Sequence, residues 1–132
     1  MIVTDLGFLA YWTVTALRLL PDEVLFADHH DPRVIAWNWS FLPLDLLVSA
    51  TGIAAVALRR CGSRAWHPLM LVSLTLTATA GLMALAYWAL RGEFDITWWA
   101  PNLFLLLYPV PALAWLMICP TAGARPPRSP EP

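Results

Sequence analysis

The chain has 132 residues, the length of one domain. Hydrophobic residues make up 59% of it and charged residues only 13%, a composition typical of membrane-embedded proteins. With a net charge of −1 it lacks the basic surface that nucleic-acid binding requires, so we expect no nucleic-acid partner. Its two cysteines form no motif with ligand spacing, and we expect neither a metal site nor a cofactor.

Four apolar segments predict an all-α integral membrane protein, a bundle of four transmembrane helices formed by residues 1–119. The predicted spans cover residues 6–26, 34–58, 66–90 and 96–119. Each is about 20 residues or longer, which is enough to cross the hydrocarbon core of a bilayer. Residues 120–132 are rich in proline and are predicted to form a disordered cytoplasmic tail.

The distribution of arginine predicts the orientation of the bundle. Most arginines lie in two regions: Arg59, Arg60 and Arg64 after the second span, and Arg125 and Arg128 in the tail. The positive-inside rule places both regions in the cytoplasm, and four spans return the N-terminus to the same side. We therefore expect a multi-pass plasma-membrane protein with both termini in the cytoplasm.

The first span and the loop after it contain four candidate site residues. Tyr11 and Arg18 lie seven residues apart, so they share one face of the predicted helix. Glu23 and Asp31 fall at the predicted outer mouth of the bundle. We expect one of these carboxylates, or the neighbouring Asp22, to act as a second acid–base group at a site inside the membrane.

Asp45 is the most informative residue of the second span. It lies near the middle of that span, where a charged side chain costs about 2.5–3.5 kcal/mol on insertion scales, so it is expected to face the bundle interior. Asn38 lies seven residues earlier on the same helix face. Two interpretations are open: a buried ion pair with Arg18 that fixes helix packing, or an unpaired Asp45 that desolvation keeps protonated. The second is the state that a proton donor requires.

Several tryptophans gather at the predicted outer ends of the last three spans. They are Trp37, Trp39, Trp88, Trp98 and Trp99. Tryptophan is enriched at membrane interfaces, so an aromatic belt explains any one of them. Five on one side exceed what a belt needs, and we predict that some of them line a cavity.

The third and fourth spans differ in their polar residues. The third carries a ridge of small residues that is predicted to serve close helix packing: Ser73, Thr77, Gly81 and Ala84. In the fourth, Trp98 and Trp99 lie four and three residues before Asn102 and are predicted to share its face. Asn102 has two interpretations, a pocket residue or an amide that bonds a neighbouring helix. Tyr108 is a further candidate ligand contact.

Three runs of sequence carry a resemblance to a known group. Residues 36–46 (AWNWSFLPLDL), 91–95 (RGEFD) and 98–104 (WWAPNLF) resemble the YvaD-like group of small bacterial membrane proteins. The resemblance covers nearly the whole chain except the tail and implies the same membrane architecture. The group has no assigned function, so the resemblance implies none.

The order of features is also similar to that of the EXPERA superfamily, which includes the emopamil-binding sterol isomerase. These features are an outer-loop Asp31-Pro32, a mid-span carboxylate at Asp45 and an early Ala100-Pro101 in the last helix. The resemblance implies an EXPERA-like arrangement of helices around a lipophile-binding cavity, with Asp45 as the acid and Asn102 near it. The isomerases also use a histidine, and this chain has none inside the membrane, so their mechanism does not carry over whole.

Three functions follow from these features and stay open. The first is a polar, Trp-lined pocket that binds a lipophilic small molecule, with acid–base isomerisation or cyclisation of an isoprenoid-like alkene as its reaction. The second is a non-enzymatic accessory or assembly protein of the membrane. The third is a small proton-coupled multidrug-type exporter. Besides membrane lipids and the lipophile, the expected partner is a second copy of the chain.

Overall fold

The structure is a computed structural model that describes residues 1–20 and 30–118. The described helices are α1 Ile2–Ala16, α2 Pro32–Ser40, α3 Leu42–Arg60, α4 Trp66–Arg91, α5 Ile96–Leu107 and α6 Pro109–Ile118. Within the described part of the chain, three stretches are long and apolar enough to cross a membrane: Pro32–Arg60, Trp66–Arg91 and Ile96–Ile118. With α1 as a shorter apolar helix, they confirm a helical membrane protein. The proline-rich tail lies outside the described residues.

The first helix differs from its predicted span of residues 6–26. It runs over Ile2–Ala16 and ends in a Schellman motif, in which the amide of Leu19 donates to the carbonyl of Val14 at 3.0 Å. This motif needs a residue in the left-handed conformation, and Arg18 occupies that position with φ +50°. Arg18 is therefore exposed beyond the helix end instead of facing the bundle interior.

The second and fourth predicted spans are each built from two helices. Phe41 separates α2 from α3, and Pro43 lies in the first turn of α3, where its missing N–H leaves no hydrogen bond unmade. Tyr108 likewise separates α5 from α6, which begins at Pro109. The first break places the N-terminal turn of α3, with Asp45, near the middle of the stretch Pro32–Arg60.

Helix α4 is the centre of the bundle and packs against α3, α5 and α6. Its predicted ridge of small residues is buried throughout: Ser73, Thr77, Gly81 and Ala84. A Cβ atom added at Gly81 would lie 2.6 Å from the backbone oxygen of Asn102, so the α5 backbone lies directly against α4 there. The predicted role of this ridge in close helix packing is confirmed. Helix α1 packs mainly against α3.

Candidate ligand cavity

Helices α1 to α5 line a partly open cavity of about 320 Å³. Its walls are mostly aromatic, with rings from Tyr11, Trp12, Trp37, Phe41, Trp88 and Trp98. Three other polar side chains reach it, namely Asn38, Asp45 and Asn102. The structure therefore brings together seven of the residues predicted from the sequence, which come from five different helices.

Asp45 is held by a tryptophan and not by an arginine. The indole Nε1 of Trp12 donates to Asp45 Oδ2 at 2.8 Å. Arg18 is exposed and makes no ion pair with Asp45, so the buried-pair interpretation is wrong. Asp45 also lies in the first turn of α3, where the positive end of the helix dipole stabilises negative charge on the carboxyl oxygens.

Two buried polar atoms at the cavity have no hydrogen-bond partner among the described residues. One is Asp45 Oδ1, the oxygen that Trp12 leaves free. The other is Asn38 Nδ2, since the hydroxyl of Tyr11 donates to Asn38 Oδ1 at 3.1 Å and occupies the opposite side of the amide. The cavity thus presents an unpaired carboxyl oxygen and an unpaired N–H donor.

The aromatic walls are fixed by contacts with one another. Trp37 stacks on Tyr87 with ring centroids 4.0 Å apart and meets Trp88 edge-on at 5.8 Å. Trp88 is 4% exposed and lies nearly parallel to Trp98, with centroids 6.5 Å apart. Because each ring is held by a neighbour, the cavity is largely preformed, as small-molecule sites usually are.

Trp99 and Tyr108 are not part of the cavity. Successive residues of a helix are about 100° apart around its axis, so adjacent Trp98 and Trp99 face different directions. Trp98 lines the cavity with Asn102, whereas Trp99 donates from Nε1 to the backbone oxygen of Glu93 at 2.9 Å. Trp99 and Tyr108 border a separate open groove along α5 and the residue after it. The prediction that both tryptophans share the face of Asn102 is wrong.

The other predicted site residues lie away from the cavity or outside the described residues. Trp39 is 39% exposed and contacts Trp12, with ring centroids 5.4 Å apart. Asp31 is the N-cap of α2 and accepts from the amide of Arg33 at 2.8 Å. Glu23 lies outside the described residues. Asp45 is therefore the only carboxyl group that the described residues place in the cavity.

No metal-binding cluster of three or more His, Cys, Asp or Glu side chains occurs within residues 1–20 and 30–118. Besides the indole N–H groups of its tryptophans, the side chains that line the cavity carry a carboxyl, two amides and a phenol. Such groups are suited to hydrogen bonding and proton transfer with an organic molecule.

Comparison with known proteins identifies the family. The family model of DUF5360, described as a family of unknown function, matches residues 1–122. The chain belongs to this family. A relative is the uncharacterized protein YvaD of Bacillus subtilis (strain 168), which is 44% identical over 109 residues, 83% of this chain and 82% of the relative. The YvaD-like resemblance is thereby confirmed. No solved structure matches the chain.

In this DUF5360 member, the face of α1 that turns toward the bundle contributes residues that are not among the predicted site residues. Phe8 and Trp12 line the cavity, and Asp5 and Thr15 are buried on the same side. Their signal is the spacing of three, four and three residues from Asp5 to Thr15, which is the repeat of one helix face. The exposed position of Arg18 was not visible, because the sequence does not show where α1 ends.

Proposed function

We propose that the cavity binds a lipophilic small molecule with a small polar head group, such as an isoprenoid alcohol. The observation that carries this proposal is the pair of buried, unpartnered atoms Asp45 Oδ1 and Asn38 Nδ2 in an otherwise aromatic cavity. More than about 90% of buried polar groups in proteins have a hydrogen-bond partner. We therefore expect these two atoms to find their partner outside the described residues, in a bound molecule. A hydroxyl group both donates and accepts, and it is suited to both atoms.

The size and lining of the cavity support an apolar ligand. Its volume of about 320 Å³ is at the lower end of the range of roughly 300–1,000 Å³ found for small-molecule sites. Aromatic walls and a few fixed polar groups are the usual composition of such sites. A short isoprenoid chain fits this lining better than a sugar or a nucleotide, which would need many more polar partners.

Farnesol provides the test, with binding followed by quenching of the tryptophan fluorescence of the protein in lipid nanodiscs. We expect Asp45→Asn to weaken binding about tenfold, the equivalent of one hydrogen bond worth about 1.4 kcal/mol. Ala84→Leu, which places a larger side chain in the cavity, should weaken or abolish binding, whereas Ala86→Leu on the exposed side of α4 should not. Failure of the wild-type protein to bind any isoprenoid alcohol contradicts the proposal and favours an accessory role.

The same geometry supports acid–base isomerisation or cyclisation of an isoprenoid-like alkene. The protonated carboxyl of Asp45 gives its proton to one alkene carbon, and the resulting carboxylate removes a proton from a neighbouring carbon of the cation. Asp45 takes both steps in this scheme, because the structure does not bring Asp31 to the cavity. Aromatic rings around the cation stabilise it by about 0.5–2 kcal/mol each.

This reaction leaves a solvent-derived hydrogen in the product. In heavy water, the wild-type protein is expected to incorporate deuterium into an isoprenoid alkene, as measured by mass spectrometry. Asp45→Asn should incorporate none. An undeuterated alkene recovered from the wild-type protein limits the function to binding.

Both termini are proposed to face the cytoplasm. The arginine-rich connection after α3 includes Cys61, which is free and exposed. A membrane-impermeant maleimide added to intact cells should leave Cys61 unmodified in a variant whose other cysteine is serine, and should modify it once the cells are opened. Labelling in intact cells contradicts this orientation.

A further inference from the structure

A second buried carboxyl group lies outside the cavity, in the first turn of α1. The residue Asp5 is 0% exposed, and neither of its carboxyl oxygens has a hydrogen-bond partner among the described residues. An ionised carboxylate in this position would lose its hydration and gain no donor in return. Nothing in the proposed ligand binding or proton transfer uses this group.

The structure provides a specific place for this carboxyl group on α3. A Cβ atom at Gly52 would lie 2.5 Å from Asp5 Oδ2, so the side chain fits only because residue 52 is glycine. The hydroxyl of Ser49 donates to the backbone oxygen of Asp5 at 3.0 Å and fixes the height of α1 against α3. The carboxyl of Asp5 is thus held in a pocket shaped by α3.

Within residues 1–20 and 30–118, few charged or titratable groups face Asp5. From α1 itself there is the α-amino group of Met1, which makes no hydrogen bond to the carboxyl oxygens. From α3 there are Ser49 and Gly52, neither of which is charged. The other buried acid, Asp45, lies seven residues along α3 from Gly52, roughly 10 Å at 1.5 Å per residue.

We propose that Asp5 binds a proton that holds α1 against α3, and that this proton site is coupled to the ligand cavity. Because neither oxygen has a donor, the neutral carboxyl costs less to bury in this pocket than the carboxylate does. The docked form of α1 therefore binds the proton more tightly than the released form does. By linkage, acidic conditions favour docking, and rising pH removes the proton and favours release.

The coupling follows from what α1 contributes to the cavity. Phe8, Tyr11 and Trp12 form one wall, and Trp12 also holds Asp45 in position. Release of α1 would remove this wall and that hydrogen bond together. This part of the inference rests on the proposed function. Ligand affinity should fall as Asp5 loses its proton, and ligand binding should in turn promote proton uptake.

The docking of α1 can be measured without any ligand, by double electron–electron resonance between two spin labels on the protein in lipid nanodiscs. One label is placed at Gly7→Cys, where an added side chain meets nothing within 4 Å, and the other at the exposed Cys61 that ends α3. The remaining cysteine is replaced by serine. The distance distribution is recorded at acidic and at alkaline pH, in chains with and without Asp5→Asn.

We expect a narrow distribution at acidic pH that becomes longer and broader at alkaline pH when Asp5 is present. With Asp5→Asn, which resembles the protonated carboxyl, it should stay narrow at both. If Asp5→Asn fails to fold, Asp5→Ala takes its place, because alanine is equally unable to ionise. No change at alkaline pH in the chain that retains Asp5, or the same change in either neutral variant, overturns the proposal.

Farnesol affinity at the same two pH values then tests the coupling. It should decrease at alkaline pH with Asp5 present and remain constant with Asp5→Asn. A pH-dependent distance together with no farnesol binding at either pH refutes the ligand proposal alone and leaves the proton site standing. Farnesol binding that is equally strong at both pH values, with a pH-dependent distance, refutes the coupling.

Discussion

Substitution of Gly52 by alanine tests the contact between α1 and α3 most sharply. The new Cβ atom would lie 2.5 Å from Asp5 Oδ2 and 2.8 Å from both Cγ and Oδ1, whereas ordinary contacts begin near 3.4 Å. The carboxyl group would have to move by about 1 Å, and with it the first turn of α1. Overpacking of this kind typically costs about 1–3 kcal/mol in the free energy of unfolding.

Two further variants isolate this effect. Gly7→Ala on α1 points into open space and measures the gain of up to about 1 kcal/mol that alanine brings to any helix. Asp5→Ala removes all three clashing atoms, so the double variant with Gly52→Ala should be more stable than Gly52→Ala alone. We expect an interaction energy of about 1–2 kcal/mol between the two sites, within the range found for residues in contact.

Reversible unfolding of the purified protein in mixed micelles of increasing dodecyl sulfate content gives these free energies. Gly52→Ala is expected to unfold at a lower fraction of the denaturing detergent than the wild type, and Gly7→Ala at an equal or higher fraction. The reasoning is refuted if Gly52→Ala is as stable as Gly7→Ala, or if the two substitutions are additive.

Three other predictions use the same unfolding measurement. Trp12→Phe should cost about 1–3 kcal/mol, because it leaves Asp45 Oδ2 buried without its donor, and an unchanged stability would contradict the contact. Arg18→Gly should stabilise the protein by about 1 kcal/mol by relieving the left-handed backbone, whereas a buried ion pair predicts a large loss. Hydrogen bonds from the Thr97 side chain and amide lower the pKa of Asp95. The ionised Asp95 should therefore stabilise the protein at neutral pH, and this stabilisation should be lost in acid. Asp95→Asn should lack this pH-dependent stabilisation.

The sequence was sufficient to predict the polar centre of the cavity. A carboxyl group inside a long apolar segment must face other helices, which identified Asp45 and, two turns earlier, Asn38. Trp37, Trp88 and Trp98 were recognisable as more than an interface belt, because five tryptophans fall at the same predicted depth. Each of these inferences depends only on depth and on position around one helix.

The partners within the site could not be predicted, because they depend on where helices end and how they are rotated. Arg18 is spaced to share a face with Tyr11, yet α1 ends two residues before it and the arginine turns outward. Adjacent Trp98 and Trp99 look equivalent in sequence, and only the rotation of α5 selects the first. Asp5 lies in the first turn of α1, where an acidic residue is usually exposed. It is buried because α3 approaches it closely at Gly52.

The most direct test of the account is native mass spectrometry of the protein purified from membranes in a mild detergent. We predict that the wild-type protein and Ala86→Leu retain an apolar molecule that carries a hydroxyl or similar polar group. Ala84→Leu, which places a larger side chain in the cavity, should be recovered without it. A wild-type protein that is folded and free of ligand, or the same ligand retained by Ala84→Leu, would contradict binding in the cavity.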